Sequence, residues 1–341
     1  MKKILVIILL VIALLITLVG CTQNKDESLD SLNKNVSVTN TEDEIQTEDR
    51  LSIVVSIFPQ YDFTRAIIGD KADLTMLIKP GSESHSYDPS PADIIKIQNA
   101  DAFIYIGGES EQWVKTILDS IDTTDIRVIR LMDNVNIVEE ETVEGMEKEY
   151  GHEHSDDEHE DDHEEEIEYD EHIWTSPKNA ILMINAIAET ITELDVKNAT
   201  IYSKNAEDYV KQIQNVDSEF RNIVNNSDNK LLVFGDRFPF RYFVDEYGLD
   251  YRAAFNGCSS ETEASAGTIA YLIDTVKSNK LSHIFYIELS NQNIARVISE
   301  QTGAEMILLH SSHNVTKDDF EAGVTYLSIM KQNIETLRKG I

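Results

Sequence analysis

Histidines are the residues of this 341-residue chain whose spacing most clearly suggests chemistry. His85 lies in a proline-bounded segment, Pro80 to Pro91, between a predicted strand and a predicted helix. His172 lies in a second segment, Asp170 to Pro177, directly after a carboxylate-rich run. Ligand crevices of open α/β sheets form at the carboxyl ends of strands. A single loop histidine is usually just solvated, but imidazole is a good ligand for zinc, copper, nickel and iron, so the pair predicts half of a metal site.

An acidic run with four more histidines precedes the second segment. Residues 139 to 171 contain 19 Asp or Glu and one Lys, and they supply −18 of the net charge of −33. Histidines interleaved with carboxylates form weak, exchangeable sites for borderline metals, although an acidic loop with incidental histidines is the simpler alternative. We expect the run to lack regular structure. The histidines predicted to capture metal are His152, His154, His159 and His163.

The amino terminus predicts the compartment. Lys2 and Lys3 precede an apolar run of about 16 residues, which is typical of a secretory signal and short of the ~20 residues of a membrane-spanning helix. The run ends in Leu18-Val19-Gly20-Cys21, which looks like a bacterial lipobox. Residues 1–20 are therefore predicted to be a signal peptide and Cys21 to carry lipid on the extracytoplasmic face of the cell membrane. An uncleaved anchor helix is the alternative, and it tethers the protein equally well.

The remaining chain predicts a two-lobed α/β fold. Residues 21–50 are polar and form a predicted flexible stalk. From residue 51, short β-branched runs alternate with helical spacing, which predicts parallel sheets covered by helices on both faces. Residues 199–227 predict one long connecting helix between an N-terminal lobe (51–198) and a C-terminal lobe (228–341). The predicted strands are Leu51–Ile57, Leu74–Ile78, Ala102–Ile106, Arg127–Ile129, Leu231–Phe234, Tyr251–Phe255, His283–Ile287 and Met306–Leu309.

These motifs together resemble the zinc and manganese substrate-binding lipoproteins of bacterial ABC transporters. The resemblance includes Pro80 to Pro91, the His-rich insertion, Asp170 to Pro177, the long helix and Glu261-Thr262-Glu263, and it covers nearly all of residues 51–341. It implies two four-stranded lobes joined by one rigid helix, with a metal ion in the cleft that is delivered to a membrane permease. The His-rich loop favours zinc as cargo, with manganese as the alternative. We expect a monomer, and no basic patch suggests nucleic-acid binding.

The resemblance carries two metal ligands over directly, to His85 and His172. It places Arg237 where a zinc-type member has His and a manganese-type member has Glu. A guanidinium group has no lone pair to offer, so Arg237 cannot be a ligand. Its neighbour Asp236 could take that role or pair with Arg237.

The end of the last predicted strand offers replacement ligands. His310 lies where the family often has Asp, and His313 follows three residues later. We therefore expect the side chains of His85, His172 and His310 to converge in the cleft. The candidates for a fourth ligand are His313, Asp236 and Glu288, although for Glu288 we favour a salt bridge with Arg237 across the cleft.

Four classes of function fit these features to different degrees. A solute receptor needs four protein ligands that close the zinc sphere. A metalloenzyme needs an open position for water and a nearby base, and the sequence contains no His-Glu-x-x-His motif or nucleophile elbow. A receptor for an iron chelate or corrinoid needs a wide cleft lined with aromatic residues or arginines. An adhesin or metal store without a permease fits the lipobox and stalk equally well. The remaining cysteine, Cys258, is predicted to be a buried free thiol.

Overall fold

The computed structural model describes residues 50–146, 168–259 and 263–341, which form one compact unit. Within these ranges, no helix combines the length and the apolar character that crossing a membrane requires. Several sequence-based predictions lie outside the described residues and stay predictions: the signal peptide, Cys21, the stalk up to residue 49, His152, His154, His159 and His163.

The first lobe contains a four-stranded parallel sheet in the order β2-β1-β3-β4. Apolar clusters cover both of its faces, which explains why its strands are short apolar runs rather than alternating ones. The strands are β1 (Ser52–Val55), β2 (Asp73–Met76), β3 (Ala102–Tyr105) and β4 (Arg127–Arg130). The helices are α1 (Phe58–Ile68), α2 (Pro91–Gln98), α3 (Gln112–Leu118) and α4 (Pro177–Leu194).

Two Ser-Pro pairs end the histidine loops of this lobe. The side chain of Ser90 accepts a hydrogen bond from the Asp93 N–H at the start of α2, and that of Ser176 accepts one from the Asn179 N–H at the start of α4. In each helix a proline occupies the first position, where its missing N–H is not needed. The sequence thus fixes where each loop stops and its helix begins.

The long helix α5 (Ala199–Asn225) joins the lobes, as predicted. Its 27 residues span about 40 Å, and one face is buried along its length from Tyr202 to Val224. Buried Asp62 of α1 anchors it, because this carboxylate accepts hydrogen bonds from the Tyr209 hydroxyl (2.7 Å) and from the Tyr326 N–H (2.9 Å). The connector is therefore part of the main core rather than a solvated surface helix.

The second lobe repeats the architecture, with parallel strands in the order β6-β5-β7-β8. The pairing of β5 with β6 shifts register between Phe234 and Arg237, which is a bulge that redirects the strand near its carboxyl end. Its strands are β5 (Leu231–Phe238), β6 (Asp250–Asn256), β7 (His283–Tyr286) and β8 (Glu305–Leu308). Its helices are α6 (Arg241–Tyr247), α7 (Ala266–Ser278), α8 (Asn293–Thr302), α9 (Lys317–Glu321) and α10 (Tyr326–Gly340).

The predicted fold class and all eight predicted strands are confirmed, with ends that differ by a few residues. The apolar spacing of Asp318 to Leu337 predicts one last helix, but the structure divides this segment in two. Gly323 adopts φ +76°, and the Thr325 side chain caps a new helix by accepting from the Ser328 N–H (3.0 Å). The chain turns there because α10 must lie against α5 and the second sheet, burying Tyr326 and Leu337.

Candidate metal centre

Three histidines converge between the two lobes. His85 lies in the loop after β2, His172 directly precedes a 3-10 helix at Ile173–Thr175, and His313 lies in the loop after β8. One nitrogen of each imidazole lies within 4.8 Å of the others. Zinc–nitrogen bonds of about 2.0–2.1 Å place bound ligand nitrogens roughly 3–4 Å apart, so a small contraction around one ion would complete this arrangement.

The structure brings His313, and not His310, to the other two histidines. The Nδ1 atom of His310 accepts a hydrogen bond from the Ser312 N–H (3.0 Å) and lies 3.4 Å from Glu288 Oε2, and its side chain lines a different pocket. Ser312 adopts φ +65°, so the chain turns sharply between the two histidines. The expectation that His310 would converge with His85 and His172 is therefore wrong. The turn at Ser312 directs the side chains of His310 and His313 into different pockets.

The other predicted fourth ligands have structural contacts of their own. Glu288 accepts hydrogen bonds from the N–H groups of Ser311 (2.7 Å) and His313 (3.2 Å), so it shapes the loop that presents His313. Asp236 accepts one from the Arg237 N–H (3.0 Å), and burial raises the pKa of its carboxyl group. Neither residue belongs to the histidine cluster in the described part of the chain.

Arg237 pairs with Glu83 and not with Glu288, contrary to our expectation. Its Nη2 lies 3.1 Å from Glu83 Oε2, and its Nη1 donates to the Ser259 carbonyl (3.1 Å). Glu83 comes from the His85 loop and Arg237 from the bulged end of β5, so this ion pair bridges the lobes beside the histidines. The sequence places both residues near the loops but does not indicate their pairing.

The surroundings of His172 leave one of its ring nitrogens available to bind a metal ion. The residue is fully buried, and the Asp170 carboxylate accepts from its backbone N–H (2.8 Å) and lies 3.2 Å from its Nδ1. Its Nε2 is buried with no hydrogen-bond partner. A carboxylate on one ring nitrogen of a histidine leaves the other nitrogen available for a metal ion. Gly257 makes room for the ring, since a Cβ there would lie 3.0 Å from His172 Cε1.

Burial decides the protonation of the other two histidines. Burial lowers the pKa of His313 well below its usual value, and the neighbouring His85 and His172 lower it further. Burial also lowers the pKa of His85, against an opposing effect of the Glu171 carboxylate. For His172, burial alone would lower the pKa, but the carboxylates of Asp170, Glu171 and Glu140 together outweigh it and the net shift is upward. His85 and His313 are therefore neutral near pH 7, as a metal ligand must be.

Hydrogen bonds between the lobes hold the two loops together. The Asn314 side chain donates to the carbonyls of Lys79 (2.9 Å) and Ser82 (2.8 Å), and the Gly81 N–H donates to the Val315 carbonyl (2.7 Å). The Ser84 hydroxyl also forms a hydrogen bond with His313 Nε2 (2.7 Å). The loops that present His85 and His313 are thus positioned by contacts that need no metal.

The described ends of the acidic insertion lie next to this centre. Glu139 and Tyr169 form an antiparallel bridge, and the Asp170 N–H donates to the Val138 carbonyl (3.0 Å). Nearby, the Cys258 N–H donates a hydrogen bond to the Glu140 carboxylate (3.0 Å). Burial raises the pKa of the Cys258 thiol well above the usual value. Cys258 is therefore a protonated thiol that is free, as predicted, although the residue is half-buried rather than fully buried.

The arrangement suits a single ion with a preference for nitrogen ligands. The cavity has a volume of about 30 Å³, which leaves no room for an iron chelate or a corrinoid. Neutral imidazoles favour zinc and related transition metals over manganese, which prefers carboxylate oxygen. The chemistry available to these three side chains is therefore capture of a borderline metal ion.

Comparisons with known proteins agree with this geometry. Residues 53–340 match the model of a family described as zinc-uptake complex component A, periplasmic. The zinc-binding lipoprotein AdcA of Streptococcus pneumoniae is 30% identical over 297 residues, which are 86% of this chain and 56% of AdcA. The high-affinity zinc uptake system protein ZnuA of Bacillus subtilis is 30% identical over 293 residues, covering 86% of this chain and 88% of that protein.

A solved structure shares the two-lobed fold. The Zn(II)-bound ZnuA-like domain of Streptococcus pneumoniae AdcA superposes with a TM-score of 0.69 at 28% identity, covering 85% of this chain and 98% of that chain. The chain spans just over half of the length of the AdcA protein that it matches. Since the family model covers nearly all of the described residues, the chain belongs to the family of periplasmic component A proteins of zinc-uptake complexes.

Proposed function

We propose that this protein is an extracytoplasmic zinc receptor that binds one ion through His85, His172 and His313 and delivers it to the permease of an ABC transporter. The observation that carries the proposal is the convergence of three imidazole nitrogens within 4.8 Å, with the His172 Nε2 buried and unpartnered. A buried polar atom without a partner is costly, and a bound ion would supply the partner. Membership of the zinc-uptake family supports the delivery step.

Zinc is favoured over manganese by the donor atoms. Manganese receptors would need carboxylate oxygens among the ligands, but Asp236 and Glu288 accept hydrogen bonds from backbone N–H groups, and neither carboxylate belongs to the cluster found among the described residues. Three protein ligands, one fewer than the four expected from the sequence, are found in the described part of the chain, and they leave one position of a tetrahedral zinc sphere for water. Although one position stays open to water, membership of the zinc-uptake family supports capture and release of cargo rather than catalysis.

Metal content and competition test the proposal directly. The protein is purified without added metal, its metal content is measured, and zinc and manganese then compete for the metal-free form. To isolate the cleft site, His152, His154, His159 and His163 are changed to Gln. We expect one tightly bound zinc ion per chain, lost in His172→Ala. A preference for manganese, or zinc binding that survives His172→Ala, would contradict the proposal.

The loop histidines and Cys21 have proposed supporting roles. We propose that His152, His154, His159 and His163 collect zinc when it is scarce, since they lie in the insertion that begins beside the cleft. Changing all four to Gln should leave the zinc affinity of the cleft site unchanged but slow zinc loading from medium that contains a chelator.

We also propose that lipid on Cys21 holds the receptor near its permease. Cys21→Ala should release it from the membrane fraction, and retention there would favour an uncleaved anchor helix.

A further inference from the structure

Glu171 is a buried carboxylate with an unexplained oxygen atom. The residue is 1% exposed, and its Oε2 accepts a hydrogen bond from the Ser110 N–H (2.9 Å). Its Oε1 is buried and has no hydrogen-bond partner. Burying a carboxylate oxygen without a donor is expensive, so its retention calls for a functional explanation. One candidate donor is His85, whose Nδ1 lies 3.7 Å from Oε1.

The turn before α3 forms a seat for this carboxylate. A Cβ on Gly108 would lie 2.1 Å from Glu171 Cβ and 2.2 Å from its Oε2, so only glycine leaves space for the side chain. The Ser110 N–H then fixes one oxygen and leaves the other directed toward His85. The orientation of Glu171 is thus imposed by its neighbours and is not one of many rotamers of an exposed side chain.

Asp170 provides a parallel within the same segment. Its carboxylate lies 3.2 Å from His172 Nδ1, in the way that Glu171 lies 3.7 Å from His85 Nδ1. Two consecutive carboxylates therefore each face the Nδ1 of a different candidate ligand. When a carboxylate accepts the Nδ1–H of a histidine, it fixes the tautomer, leaves Nε2 free for the metal and makes that nitrogen more basic.

We propose that Glu171 is a positioning residue for zinc binding, which accepts the Nδ1–H of His85 and thereby presents His85 Nε2 to the ion. The inference rests on the proposed zinc receptor function and goes beyond it by assigning a role to a residue outside the ligand set. Contraction of the cluster around the ion would shorten the 3.7 Å separation to a hydrogen bond. Glu171 itself does not contact the metal in this arrangement.

Zinc affinity of Glu171 variants tests the assignment. Zinc chloride is titrated in competition with a chelating dye, in the protein with Gln at the four loop histidines. We expect Glu171→Ala to weaken binding 10- to 100-fold, as for other partners of metal-binding histidines, and Glu171→Gln to recover part of the loss because its amide oxygen still accepts. Gly108→Ala should weaken binding as well, since it displaces the carboxylate without removing it. The matched control, Glu109→Gln, neutralises an exposed carboxylate on the same turn and should leave affinity unchanged.

Spectroscopy separates positioning from direct ligation. In ¹⁵N-histidine NMR spectra of the zinc-loaded protein, His85 should show a protonated Nδ1 and a metal-bound Nε2, and Glu171→Ala should shift the Nδ1–H signal. In the cobalt(II)-loaded protein, the absorption spectrum of Glu171→Ala should report the same coordination number of the ion as before the substitution. A lost ligand in the cobalt spectrum, or unchanged zinc affinity in both Glu171→Ala and Gly108→Ala, would overturn the assignment. Zinc binding that is insensitive to His172→Ala would instead refute the receptor function itself, so the two failures are distinguishable.

Discussion

The imidazole rings of His85 and His313 pack edge to face with centroids 5.2 Å apart, although one follows β2 of the first lobe and the other follows β8 of the second. Neither lobe could form the site alone. The hydrogen bond between the Ser84 hydroxyl and His313 Nε2 joins the same two loops. The position of the metal site is therefore defined by the joint between the lobes.

The contrast between two neighbouring histidines tests the ligand set. His313→Ala should lower zinc affinity more than about 100-fold, since even partners of metal ligands contribute 10- to 100-fold. His310→Ala should change affinity less than about threefold, because its ring bonds the Ser312 N–H away from the cluster. Chelator competition measures both variants. An equal loss in the two would place His310 in the coordination sphere.

Proton release on zinc binding should be closer to one than to three. A histidine gives up a proton to the metal only if it is protonated beforehand. Burial lowers the pKa of His85 and of His313, so both are already neutral at pH 7, whereas the net effect on His172 is an upward pKa shift. His172 is then the residue that releases a proton, and the number should rise as the pH falls toward the pKa values of the other two.

Calorimetry in buffers of different ionisation enthalpy counts these protons. The titration uses the variant with Gln at the four loop histidines, so that their protons do not contribute. At most about one proton per zinc ion is expected at pH 7, because only His172 has a raised pKa among the three ligands. Three protons at that pH would mean that burial does not keep His85 and His313 neutral.

The pair of Arg237 and Glu83 should tune affinity in opposite directions. A guanidinium in the pocket repels a bound dication, so Arg237→Gln should strengthen zinc binding by on the order of 1 kcal/mol, or about fivefold. Glu83→Gln should weaken it, because Arg237 would then lack its neutralising partner at 3.1 Å. Chelator competition at low and high salt provides the measurement. The changes in zinc affinity should shrink at high salt because Glu83 is partly exposed. If Arg237→Gln and Glu83→Gln changed zinc affinity in the same direction, the electrostatic account would be refuted.

Asn314 should contribute to the stability of the joint. Its side chain is 5% exposed and donates to two carbonyls of the opposite lobe. Asn314→Ala should lower the free energy of unfolding by about 1–3 kcal/mol, because two partly buried hydrogen bonds between the lobes are lost. Asn226→Ala is the matched control, since that exposed side chain donates within its own helix end. Urea unfolding of the metal-free proteins should show a clear difference between the two variants.

Local patterns were enough to predict most of the architecture. Strand runs such as Ala102–Ile106 are apolar because both sheet faces are covered, and the spacing of Tyr202 to Ile223 repeats with the helical turn. The Ser-Pro pairs at Ser90 and Ser176 mark helix starts by hydrogen bonds within four residues. Patterns of this kind depend on neighbours in the chain, so a sequence contains them in full.

The sequence by itself also determined that His85 and His172 lie in loops beside a strand end and a helix start, where a metal ion could be held. It did not distinguish His313 from His310, because the choice depends on the left-handed turn at Ser312 and on the hydrogen bonds that Glu288 accepts from the loop. Nor did it single out Glu171, or Glu83 as the partner of Arg237, among so many acidic residues. These relationships join segments far apart in the chain, and only the packing of the two lobes decides which side chains meet.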